Sequence, residues 1–406
     1  MSLLEGIKVV DFTTYIAGSC CTRMLADWKA DVIKIEPLKG EAFRMWGRLL
    51  GTPIEKDENP CFEIGNANKK GIAIDAKSPE GQDILHKLLA DADIFVTNYR
   101  EKALESMGLS YEKLSERYPR LIYGFLNGYG TKGPLAQNPG FDVIAFWGRG
   151  GFLGFFGEPD APPVQPHPAG GDMISGTFLV GGILAALFGR EKTGKGEKVE
   201  TALYHSALWA AGMHNTASNY WENPKISRYS TKTPLINSFK TRDGKWFNLA
   251  IMEHERYWPK ICKCIGRMDL AEKAEYALFK NATSNTQEII KILDESFAQK
   301  TMSEWEAILC AEDIAADMIF TGHDIIKDEQ ALANDFVRPI TFANGHTAVL
   351  PTSPCTFEGE GRLEWKPAPS VGRDTREVLQ SIGYSDGEIQ SFIDRNLIIA
   401  QTGEKR

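Results

Sequence analysis

A chain of 406 residues is long enough to bury a large core in one or two domains, and 43% hydrophobic with 25% charged residues is a folded, not a disordered, composition. The formal charge of −8 leaves no basic excess for phosphate backbones, which excludes a general nucleic-acid binder but still allows a local basic patch for a small polyphosphate. Seven cysteines, an odd number without zinc spacing, and a start without a basic-then-apolar leader lead us to expect a cytoplasmic protein with reduced thiols, no metal and no secretory signal.

In chain order, residues 7–12 read as a buried strand, 20–28 as a helix and 30–36 as a second strand closed by Pro37. Strand, helix and strand within about 30 residues mark parallel pairing. The pattern returns as strand 71–75, helix 79–90, strand 94–97, helix 102–107 and strand 121–125. This predicts an α/β fold, a large doubly wound parallel sheet of Rossmann-like type, whose crevice for ligands lies beyond the strand ends. Neither phosphate signature of such folds is present. Asp11-Phe12-Thr13-Thr14 stands where Gly-x-Gly-x-x-Gly would begin, and Gly194-Lys195-Gly196 lacks the Walker spacing, so no nicotinamide cofactor is expected.

Candidate ligand groups lie elsewhere. Lys69 and Lys70, in the polar turn 65–71, are placed to meet a phosphate as point charges, although a solvated turn has the same composition. Asn98, Tyr99 and Arg100, at a strand end, offer an amide, an aromatic face and a guanidinium to an adenine or a pantetheine arm. Glycines crowd the stretches 127–134, 139–142 and 148–151, as backbone packed near a ligand would require, although sharp loops need them as well. Gly170-Gly171-Asp172 then sets a carboxylate after two glycines at the head of the apolar run 173–189. Its local reading is an Asp N-cap on a buried core helix, since the run is short for a membrane span. From about residue 218 the pattern changes to a hairpin over 237–249 with an Asp243-Gly244 turn and helices at 257–265, 286–298 and 303–310. The expected organisation is a large domain 1–217, a small α+β domain 218–327 and a return to the large domain over 328–406. Trp246, His254 and Trp258 in the small domain read as core first and acyl contacts second.

Leu4-Glu5-Gly6-Ile7-Lys8-Val9-Val10-Asp11, the stretches 30–36 and 66–70, Asp91-Ala92-Asp93-Ile94 with Asn98-Tyr99, Gly171-Asp172, the stretch 191–197 and Gly372-Arg373-Asp374-Thr375 together resemble the class III CoA-transferases, the CaiB/BaiF family. Within it, Asp57-Glu58-Asn59-Pro60, the stretch 141–146 and Arg149-Gly150-Gly151 are most similar to clostridial 2-hydroxyisocaproate and phenyllactate CoA-transferases of amino-acid fermentation. The resemblance implies an interlocked homodimer whose partners are an acyl-CoA and a free carboxylic acid, with coenzyme A entering as substrate. It makes Asp172 the nucleophile that forms an acyl–aspartyl anhydride. It assigns Lys69, Asn98, Tyr99 and Met107 to CoA. Because relatives' nucleotide-side arginine is Pro37 here, Arg44 or Arg100 is left to meet phosphates. Tyr15, Ile16, Ala17, Phe141, Gly170 and Gly171 surround the acyl end, with backbone N–H groups near the glycines or in the Tyr15–Gly18 loop as oxyanion donors. Ile16, where the oxalate enzyme carries Gln, implies with Phe141 and Phe146 an apolar acyl pocket. A carnitine-type transferase is an alternative within the family. A 2-methylacyl-CoA racemase on the same fold would need a histidine where Phe141 stands, and a non-catalytic CoA-binding protein would be indifferent to Asp172.

Overall fold

Seven strands form one sheet in the computed structural model, which describes residues 2–167, 169–222, 225–362 and 364–401. Six of them run parallel: β1 (Lys8–Phe12), β2 (Asp31–Glu36), β3 (Lys70–Ile74), β4 (Ile94–Thr97), β5 (Ile122–Asn127) and β6 (Lys198–Ala202). Their order, β3-β2-β1-β4-β5-β6, starts in the middle and winds outward both ways, the doubly wound arrangement. Near the other end of the chain, Ile398–Ile399 adds an antiparallel edge to β3.

The strands are runs of Val, Ile and Phe because both faces of the sheet are covered. On one face α1 (Ala17–Asp27) and α3 (Gly170–Thr193) bring Met24, Leu25, Leu179, Val180 and Ile183 against Val9, Val32, Ile94 and Val96. On the other, α2 (Pro79–Ala90) and the helix Thr375–Ser381 bring Ile84, Leu85, Leu88, Val378 and Leu379 against Val10, Ile35, Ile72 and Phe95.

Two of the helix starts that differ from the sequence reading are set by packing near the cavity. Helix α1 begins at Ala17, three residues before the expected start at Cys20, because the small residues Ala17-Gly18-Ser19 let α3 approach: a Cβ on Gly176 would stand 2.2 Å from Cys20 Sγ and 2.4 Å from Ala17 O. Helix α3 begins at Gly170 with Ala169 as its N-cap, so Asp172 is a first-turn residue and not the cap. Among the described residues α3 is the one helix long and apolar enough to cross a bilayer. Within this chain 33% of its most apolar stretch is buried, and Phe178 and Phe188 are exposed.

The chain divides into two compact units. The larger carries the sheet and takes in the chain up to Leu153, Gln165–Tyr220 and everything from Glu329 on. The smaller consists of Gly154–Val164 and Trp221–Asp328, with strands Ile236–Lys240, Trp246–Ala250 and Ala316–Met318 paired antiparallel. Its core is aromatic, built on Phe239, Phe247, Trp258, Phe297 and Trp305. Two of its candidate acyl contacts belong to this interior: His254 Nε2 meets Tyr276 O at 2.6 Å, and Trp258 Nε1 donates to Leu270 O at 3.1 Å.

Candidate active site

The strand order puts a switch point between β1 and β4, where the two following loops part and leave a crevice. Thr14, Tyr15 and Ala17 after β1, Asn98–Arg100 after β4, Asn127 and Gly128 at the end of β5, and Leu203 beyond β6 line a cavity of about 270 Å³ there. Phe141 and Asp172 complete it. Residues more than 150 positions apart meet because the parallel strands end at one edge, and α3 points its first turn to that edge.

Asp172 is half-buried, and its carboxyl pKa is pushed up from 3.8 to about 7, first by loss of water and then by the charge of Asp142. Asp142 opens a short helix of the wide π type, Asp142–Gly148, a rare form found frequently at functional sites. Its Oδ1 accepts from Asp172 N at 2.9 Å, and its Oδ2 accepts from Ala169 N and Trp147 Nε1, both at 3.0 Å. Burial also raises the pKa of Asp142, against these donors, which favour its ionised form. The double glycine serves this contact. A Cβ on Gly171 would lie 2.5 Å from Asp142 Oδ1 and 2.2 Å from Phe146 Cγ.

Seven of the sequence-predicted site residues thus meet in one cavity: Tyr15, Ala17, Asn98, Tyr99, Arg100, Phe141 and Asp172. Tyr15 and Phe141 stand edge to face at 6.2 Å, and Tyr99 stacks on Phe12 at 4.7 Å. Arg100 is exposed, free to reach an anion at the rim. Asn98 lines the cavity with its amide engaged by the loop after β1. Its Oδ1 accepts from Thr14 N at 2.9 Å and its Nδ2 donates to Thr14 O at 2.7 Å.

The structure places the remaining candidates outside the cavity lining. Lys69, expected at a phosphate, is buried, and its ammonium donates to Asp11 Oδ2 at 2.7 Å, Ser19 O at 2.9 Å and Asn66 Oδ1 at 3.1 Å. A flexible basic turn and a buried counter-ion are indistinguishable in sequence, because both need only a lysine. Arg44 is likewise committed, to Glu36 at 2.5 Å and over the Phe62 ring at 3.9 Å. Met107 packs against the apolar core. Ile16 is buried with Phe43 and Phe62, and Phe146 lies in the core beneath Gly171, so neither forms the acyl wall expected of it. Gly170 lies against Trp147, and with the Asp172 N–H given to Asp142 the glycine turn is a weak oxyanion source. The first turn of α1, whose N–H groups lack intrahelical acceptors and whose Ala17 lines the cavity, is the better one. Asp142 was visible in sequence as the last residue of Gly140-Phe141-Asp142, but nothing there showed that it would meet Asp172. Among the described residues no three His, Cys, Asp or Glu side chains gather as a metal site.

Comparison with known proteins identifies the family. Residues 4–375 match the family model for CoA-transferase family III. The chain is 42% identical over 396 residues to the (R)-2-hydroxy-4-methylpentanoate CoA-transferase of Clostridioides difficile, covering 98% of this chain and 99% of that one. It is 35% identical over 395 residues to the cinnamoyl-CoA:phenyllactate CoA-transferase of Clostridium sporogenes, covering 96% of each. Among solved structures, a CaiB/BaiF family protein from Brucella suis superposes with a TM-score of 0.82 at 26% identity, over 94% of this chain and 99% of that one. The chain belongs to CoA-transferase family III. It is an enzyme of CoA transfer.

Proposed function

We propose that this enzyme moves CoA between an acyl-CoA thioester and a free 2-hydroxy acid or its enoate, with Asp172 as the covalent carrier. The observation that carries this reading is the carboxylate of Asp172 at the switch-point cavity, walled by Tyr15 and Phe141. The names of the relatives at 42% and 35% identity support the substrate class.

Ionised Asp172 attacks the thioester carbonyl, the C–S bond breaks, and an acyl–aspartyl anhydride and CoA thiolate form. The thiolate attacks the Asp172 carbonyl, releasing the first acid and leaving an aspartyl-CoA thioester. The acceptor carboxylate displaces the thiolate to give a second anhydride. The thiolate then attacks the acceptor's acyl carbon, which frees Asp172. Each attack builds charge on a carbonyl oxygen, which the first turn of α1 is placed to stabilise. A partly desolvated Asp172 with a pKa near 7 is more nucleophilic than a hydrated carboxylate, at the expense of its ionised fraction in acid. Arg100 is the rim cation for the CoA phosphates, and Tyr99 and Asn98 border the path between rim and acyl end.

The working form we propose is a cytoplasmic homodimer with interlocked chains. Phe178 and Phe188 on α3, with Trp209 and Met213 after β6, are large apolar side chains left exposed by one chain, which supports a partner surface. A racemase reading gains nothing from the site: Phe141 stands where the proton carrier would, and no histidine is among the residues that line the cavity. The test is mass-spectrometric CoA exchange with a panel of acyl-CoAs against free 2-hydroxy acids, enoates, carnitine and oxalate. Fastest exchange with 2-hydroxy acids and enoates is expected. Preference for oxalate or carnitine would overturn the substrate class, and α-proton washout without exchange would revive the racemase.

A further inference from the structure

Between β1 and α1 the chain crosses the switch point through Thr13, Thr14 and Tyr15. Tyr15 has φ +58°, in the left-handed region that disfavours a residue with a side chain. The turn is held there by its polar neighbours. Asp11 Oδ1 accepts from Thr13 N at 3.1 Å and from its Oγ1 at 2.5 Å, and Asn98 takes both ends of the Thr14 peptide. Glu41, from the segment after β2, reaches the apex. Its Oε2 accepts from Tyr15 N at 2.6 Å and from Thr14 Oγ1 at 3.0 Å. Its Oε1 lies 2.9 Å from Lys34 Nζ, itself fully buried and donating to Thr13 O at 3.2 Å and Ser19 Oγ at 3.3 Å.

A carboxylate taken out of water is retained only where its partners compensate it. Here the Glu41 carboxylate is met by the Lys34 ammonium as an ion pair at Oε1, and at Oε2 by two donors of the turn that presents Tyr15. The Tyr15 ring in turn stands edge to face with Phe141 at 6.2 Å and with Trp46 at 6.3 Å. No step of the transfer uses Glu41 itself. We infer that Glu41 is a positioning residue for CoA transfer: anchored on Lys34, its carboxylate fixes the strained Tyr15 turn and so sets the aromatic wall of the cavity that also holds Asp172. The inference rests on that cavity being the site of transfer, as proposed above, but not on Asp172 being the nucleophile.

The test is a double-mutant cycle between Glu41→Gln and Tyr15→Gly, read as kcat and KM of CoA exchange. Glutamine keeps the shape but must point its NH₂ at either the turn or Lys34, donor against donor. Glu41→Gln is expected to lower kcat by about 10- to 100-fold, with KM for the acyl-CoA moved by less than about threefold, because the reacting atoms are misplaced while the rim is untouched. Glycine adopts a positive φ without strain and carries no ring to place, so in the Tyr15→Gly background the same substitution should matter about threefold or less. A Glu41→Gln enzyme within about threefold of wild-type kcat, or a coupling factor below about three, would overturn the inference. If Glu41→Gln does not fold, Thr14→Val takes its place, since it removes one donor to the same oxygen and leaves the buried charges intact. A kcat loss beyond about threefold at unchanged melting temperature that shrinks to about threefold or less in the Tyr15→Gly background supports the role, and a smaller loss, or one that persists in that background, overturns it. Asp172→Ala is measured alongside: if it still exchanges CoA, the nucleophile assignment fails, while the coupling between Glu41 and Tyr15 still decides the positioning role.

Discussion

Replacing Asp172 with Asn should make the protein more stable while it abolishes turnover. The carboxyl of Asp172 rises from an ordinary 3.8 to about 7, with desolvation the larger cause and Asp142 the smaller. A folded-state pKa above the unfolded one means that the native protein binds the extra proton more tightly. Stability therefore falls as pH rises between about 4 and about 7, and the destabilisation is complete above that window. The shift corresponds to about 4 kcal/mol in full. Screening by water at the open side of the cavity reduces this, so about 2–4 kcal/mol is expected. For a unit of this size that is roughly a 2–8 °C rise in melting temperature for Asp172→Asn near pH 8. The assay is thermal unfolding of wild type and variant at about pH 8 and about pH 4, with the gain vanishing at the lower value. A variant no more stable than wild type at the higher pH would refute the desolvation argument. A gain that persisted in acid would show that it does not come from the charge.

Other outcomes follow from the same geometry. The rate of CoA exchange should rise with pH through a midpoint near 7, because only ionised Asp172 attacks, and Asp142→Asn should move that midpoint down by removing the neighbouring charge. A pH–rate profile checks both. Gly176→Ala puts a methyl 2.2 Å from Cys20 Sγ, so it should cost about 1–3 kcal/mol in a denaturant titration and lower kcat by shifting the first turn of α3. Lys69 and Arg100 should part company. Lys69→Met removes one of the two buried cations beside Asp11, leaving Lys34, and should lower stability by about 1–3 kcal/mol. Arg100→Ala should leave the melting temperature alone and raise KM for acyl-CoA about tenfold.

The parallel sheet was legible because a strand covered on both faces is a continuous apolar run, and β4 and helix α2 fall on the residues expected. Residues at the strand ends were legible for the same reason: once β1 and β4 are placed, Tyr15, Ala17, Asn98, Tyr99 and Arg100 must share a crevice. What sequence could not show is which way a side chain turns after the backbone is fixed. Lys69 and Arg44 look like phosphate ligands until Asp11 and Glu36 are seen beside them. Ile16 sits next to two cavity residues, yet as the N-cap of α1 it turns down onto Phe43 and Phe62. Asp142 and Glu41 were missed because each acts through backbone N–H groups of a distant segment, and a contact of that kind leaves no residue-type signature.

The measurement that tests the central claim most directly is the fate of oxygen during transfer. The enzyme would be cycled with an acceptor acid labelled with ¹⁸O in both carboxylate oxygens, digested, and the peptide carrying Asp172 weighed. Passage through an aspartyl anhydride leaves one oxygen of the acceptor on the carrier in each turnover, and the next donor acid departs with either Asp172 oxygen, so the account predicts one labelled oxygen on Asp172 after a single turnover, rising toward two with cycling, and none on any other acidic residue. An unlabelled Asp172 after many turnovers, or label on a different side chain, would contradict it.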